Sequence, residues 1–241
     1  MLPSPWRPPS RWLRRAGRRA EPGLSAVPSS GRVLVIACGA LSREITALKR
    51  ASGWSMLDLT CLPPELHNRP ERIPAALRAV IGEARARYQR IFVAYADCGT
   101  GGALDRMLAE EGVERLPGAH CYEFFATSGV FAALSDAEPG TFYLTDFLVR
   151  HFERLVVGSL GIDRHPELAS EYFRHYTRVL YLAQVADAQL ERQARAIAAR
   201  LGLRYEHRAT GYGDLASGLT RMQRRAAIPI VVERPRAHSA A

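Results

Sequence analysis

Four cysteines, Cys38, Cys61, Cys98 and Cys121, hold most of the chemistry open to this 241-residue sequence. Cys38, Cys61 and Cys98 each fall at or just beyond the end of a short apolar run, and Cys121 lies in or beside another, at 120–125. If such runs form parallel strands, their C-terminal ends share one edge, where open α/β sheets bind ligands. His67 follows the second run and His120 adjoins Cys121, so imidazoles can join the thiols. Thiolate and imidazole hold zinc, or iron with further ligands. The metal-ligand candidates are therefore Cys38, His67, Cys98, His120 and Cys121. No CxxC occurs, so the spacing is neither a zinc ribbon nor a ferredoxin. The competing reading is structural, because cysteine is among the most buried residue types.

The sharpest local pattern is Asp97, Cys98, Gly99, Thr100, Gly101 and Gly102, a glycine-rich turn between an apolar run and a helix. The backbone N–H groups of Gly99, Thr100, Gly101 and Gly102 could face an anion there. A helix N-terminus also lowers the pKa of a neighbouring thiol, which makes Cys98 the expected thiolate and Asp97 a second catalytic candidate. Neither the GxGxxG spacing of a dinucleotide site nor the GK[ST] of a P-loop is present. A turn that needs glycine for its backbone alone is the plain alternative. His151 reads as a core histidine on a stripe with Phe147, Leu148, Phe152 and Leu155. Tyr172, Phe173, Tyr176 and Tyr181 read as core aromatics.

Short apolar runs alternating with helix-period segments supply the frame for these groups. Strands are expected at 33–38, 56–61, 91–96, 120–125, 141–144, 179–183, 204–207 and 230–233. Helices are expected at 73–88, 188–201 and around 214–225, among others. Gly202 is placed to end the second of these, and Thr145 or Asp146 to cap a helix. The pattern implies an α/β fold with a largely parallel sheet flanked by helices, or two similar α/β lobes divided near 136–140. Residues 32–234 are the expected domain, between an Arg/Pro-rich tail expected to be disordered (1–31) and a short tail (235–241).

The net charge of +9 sits at the two ends. Residues 1–32 carry seven Arg against Glu21, and residues 221–241 carry five against Glu233, so the body is near neutral. A nucleic-acid face would be expected within the body, which makes such a partner the minority reading. Arg14, Arg15, Arg18 and Arg19 lack the apolar segment that an export signal needs. No apolar run approaches the ~18 residues of a membrane helix. Sparse cysteines and no spanning segment point to a cytoplasmic protein with reduced thiols.

Six motifs in order, ACGAL (37–41), LHNRPE (66–71), DCGTGG (97–102), HCYEF (120–124), PGTFYLTD (139–146) and YLAQ (181–184), resemble the bacterial and archaeal domain-of-unknown-function family 1638. The resemblance covers roughly residues 33–220. It implies no established activity, but an association with corrinoid-dependent methyltransferases and hence with one-carbon metabolism. The leading expectation is a zinc or iron site at the strand edge that acts on a small-molecule substrate. The first alternative is a metal-free enzyme that uses a Cys98 thiolate, with Cys38 and Cys98 facing each other as in two-lobed racemases. The second is a non-catalytic partner of a methyltransferase or corrinoid protein.

Overall fold

The computed structural model describes residues 31–226. All six residues of β1 (Val33–Cys38) are buried, as a strand covered on both faces requires. It pairs in parallel with β2 (Leu57–Leu62) on one side and β3 (Arg90–Ala94) on the other. A short β4 (Glu114–Arg115) completes the order β2-β1-β3-β4. A second parallel sheet has the order β5 (Thr141–Thr145), β6 (Arg178–Ala183), β7 (Arg204–Ala209). The fold is thus α/β with two lobes, one built on each sheet.

The helices follow the sequence pattern. Helix α1 spans Ser42–Ala51, and α2 (Ile73–Ala84) buries Ile73, Ala76, Leu77, Val80, Ile81 and Ala84 against the first sheet. Helix α3 (Ala103–Glu111) follows the glycine-rich turn, and the short α4 (Glu123–Ala126) runs into α5 (Ser128–Ala137). In the second lobe α6 (Asp146–Phe152) continues as a π-helical turn, Glu153–Gly158, and is followed by α7 (Leu168–Phe173). Helix α8 (Ala188–Leu201) starts where Asp187 accepts from the N–H groups of Gln189 and Leu190, and ends at Gly202 in the left-handed conformation.

The lobes are not cut cleanly in sequence. Val130, Phe131 and Leu134 of α5 pack on Leu180 and Leu182 of the second sheet. Helix α9 (Gly213–Ala226) returns to the first core through Leu215, Leu219 and Met222. The return depends on Gly213, because a Cβ there would stand 2.4 Å from the Phe125 carbonyl oxygen.

Two expectations change. Residues 120–125 form a turn and α4 rather than a strand, because Ala119 N–H and His120 N–H are held by the Glu123 carboxylate, an arrangement that starts a helix. The helix expected over 73–88 stops at Ala84, although Tyr88 stays buried and donates to Asp58. The strand expected at 230–233 lies outside the described residues.

Candidate functional site

Three of the four thiols meet at the C-terminal edge of the first sheet, each delivered by a different segment. Cys38 is the last residue of β1. Cys98 follows β3, and its N–H donates to the Ala119 carbonyl at 2.8 Å, while Asp97 N–H donates to Gly118 at 3.0 Å. This pairing of two loops carries Cys121 next to Cys98, with 3.4 Å between the sulfurs. Cys121 and Cys38 line the same end of one cavity, near enough to shift each other's titration. His67 arrives on a 3-10 turn, Pro64–Asn68, and lines the same cavity end as Cys98, close enough for each to act on the other's charge.

The electrostatics follow from these contacts. Cys121 lies against Cys98 and beside Cys38, and these two thiols, with burial, push its own pKa well up. The Cys121 contact and the neighbouring His67 imidazole together hold Cys98 down at about 5 despite burial. Cys38 is lowered in turn, chiefly by Cys121. The Cys98 sulfur raises His67, so the pair tends towards thiolate and imidazolium. Cys98 has φ +48, a left-handed backbone that is strained for a residue with a Cβ, and such strain concentrates at functional sites.

The thiols and His67 form one end of a cavity of about 460 Å³ between the lobes. The other end is built by the second lobe, with Phe142, Tyr143, Phe147, Leu155, Phe173 and Tyr176. Tyr172 and Tyr176, expected in the core, are 46% and 36% exposed and stand among its lining residues. Among the described residues no group of three or more His, Cys, Asp and Glu side chains is already disposed as a metal's ligand set.

Other candidates lie elsewhere. His120 does not join the thiols: its ring stacks on Tyr122 at 4.9 Å, within a group that includes Phe131 and Tyr143. Asp97 spends its carboxylate on its own turn, accepting from Thr100 Oγ1 and from the N–H groups of Gly101 and Gly102. The nest expected to hold an anion at Gly99, Thr100, Gly101 and Gly102 is thus largely filled by that carboxylate. Cys61, inside β2, does not line the cavity, and burial pushes its thiol up to about 12. Cys38 and Cys98 share one sheet, and no cysteine follows residue 121, so the two-lobed racemase arrangement of facing thiols is not formed. His151 sits at a kink in α6 against Phe147 rather than deep in the core.

Sequence reasoning missed Tyr95 and the role of Asp146. Tyr95, directly after β3, is 1% exposed, and its buried hydroxyl lines the cavity without a hydrogen-bond partner among the described residues. Asp146 is also 1% exposed and joins the ends of β5 and β6. It accepts from Tyr181 Oη at 2.6 Å and from the N–H groups of Gln184 and Val185 at 3.1 and 3.2 Å. Its own N–H donates to Gln184 Oε1 at 2.8 Å. An Asp directly after one strand and a Gln directly after the next were the available signal.

No helix among the described residues is long and apolar enough to cross a membrane. No curated protein and no solved structure matches the chain. A family model described as protein of unknown function (DUF1638) matches residues 61–219, which takes in His67, Cys98 and Cys121 and leaves Cys38 outside. The chain belongs to the DUF1638 family.

Proposed function

We propose that Cys38, Cys98 and Cys121 hold one soft divalent ion, zinc or iron, whose fourth coordination position opens to the cavity. His67 would stand beside Cys98 and orient that ligand. The centre activates a small molecule lodged in the cavity, by polarising it or lowering the pKa of a ligating group. The observation that carries this reading is the convergence of three thiols from separate segments at one cavity end, with His67 beside Cys98. A tetrahedral ion with bonds of ~2.3 Å places its sulfurs about 3.8 Å apart. The 3.4 Å between Cys98 and Cys121 is near that and far from the ~2.05 Å of a disulfide. The link to one-carbon metabolism is implied by the family resemblance alone.

Elemental analysis of the full chain, purified anaerobically under reducing conditions, tests the proposal. Close to one zinc or iron per chain is expected, lost in Cys98→Ser and Cys121→Ser. A metal-free chain whose stability ignores chelators would overturn it.

The contact of Cys98 with His67 favours a second reading, a metal-free enzyme with a Cys98 thiolate as nucleophile or base. Stoichiometric alkylation of Cys98 in native metal-free protein supports it, and an inert Cys98 there removes it.

A further inference from the structure

We propose that the cavity takes a neutral, ring-bearing apolar molecule and rejects charged molecules of the same shape. This rests on reading the cavity as the chamber of the thiol centre, and it names the substrate class. Among the described residues that line it there is no Asp, Glu, Lys or Arg, and His67 at the thiol end is the only basic side chain. A charged ligand would leave water with no partner of opposite sign along the second-lobe wall, and an unpaired buried charge is costly.

That wall is built for rings. Phe142 meets Phe173 and Tyr176 edge to face, with centroids 5.3 and 5.6 Å apart. A ring entering beside them extends the same edge-to-face packing. The π-helical turn after α6 brings Leu155 and Val156 to the cavity, and such turns recur at functional sites. At about 460 Å³ the space is in the range of small-molecule sites. A molecule held there has one end at Cys98 and His67 and its body among the aromatics.

The test uses a matched pair of fluorescent probes, N-phenyl-1-naphthylamine and its anionic sulfonate, 8-anilinonaphthalene-1-sulfonate. Each is titrated into the reduced full chain with and without zinc. Expected is saturable binding of the neutral probe at one site per chain, with the sulfonate about 100-fold weaker. The neutral probe should also slow iodoacetamide alkylation of Cys98 in the zinc-free chain. Leu160→Trp, which fills the second-lobe end, should abolish binding with an unchanged circular dichroism spectrum. If that variant does not fold, Leu148→Trp serves the same purpose. Equal affinity for both probes, or neutral binding untouched in a folded filling variant, would overturn the proposal. Metal content is read separately: probe binding without metal sinks only the metal centre, and metal without selective probe binding sinks only this inference.

Discussion

At the edge of the first sheet Cys38, Cys98 and Cys121 stand together with His67 and open onto a cavity. At the edge of the second, Asp146 engages Tyr181, Gln184 and Val185 and is closed to solvent. Both are C-terminal ends of parallel strands, so topology alone does not separate them. The difference lies in satisfaction: the carboxylate has its full set of strong donors, whereas the sulfurs have weak partners and one imidazole. A saturated polar network fixes geometry, and an unsaturated set of soft donors is free to bind.

The largest expected effect falls on the closed edge. Asp146→Ala strands the buried Tyr181 hydroxyl and two N–H groups, so it should cost about 4 kcal/mol in urea unfolding. Cys98→Ser should cost about 1 kcal/mol in metal-free protein. Equal losses would break the contrast between the edges.

The next effect is on reactivity. In metal-free protein Cys98 should react with iodoacetamide at neutral pH and lose its reactivity only as the pH falls through about 5. Cys61, pushed up to about 12, should react only after unfolding. The folded value for Cys98 lies below its ordinary 9.0, so its thiolate contributes stability above pH 9 that is lost as the pH falls towards 5. His67→Ala removes the imidazole beside the thiolate and should raise the midpoint of the rate profile by about one unit. An unmoved midpoint would take His67 out of the pair.

Glu44 gives a smaller effect. It is 5% exposed, one of its oxygens has no partner, and burial followed by the nearby Asp146 raises its carboxyl. Its folded pKa lies above the ordinary 4.5, so its contribution is full below that pH and is lost as the pH rises through the folded value. Glu44→Gln should therefore stabilise by about 1 kcal/mol at pH 7 and by nothing at pH 4, as read from thermal melts. Smallest is the exposed ion pair of Glu65 with Arg154, which joins the lobes beside the cavity. Glu65→Gln should change unfolding by no more than about 0.5 kcal/mol, and a larger change would mean that the lobes depend on it.

Much of this was legible in the residues. VLVIAC announced β1, the Asp187 to Gly202 segment carried its own caps, and the restart of the strand pattern at Thr141 marked the second sheet. The strand-end rule placed Cys38 and Cys98 at one edge, and the structure sets His67 in the same cavity lining. It failed at His120 because alternation along a strand was assumed where Glu123 nucleates a helix, so the ring turned to Tyr122. It failed at Asp97 because a short carboxylate five residues before Gly102 can fill its own turn. The aromatic wall was hidden for another reason. Core and cavity use the same residue types, and only the packing of two lobes decides which of them remain uncovered.

Cobalt titration of the reduced metal-free chain tests the central claim most directly. The account predicts saturation at one Co²⁺ per chain, with intense thiolate-to-metal charge-transfer absorption that weakens in each of Cys38→Ser, Cys98→Ser and Cys121→Ser. A pale spectrum without charge transfer, or one that the three substitutions leave unchanged, would contradict it.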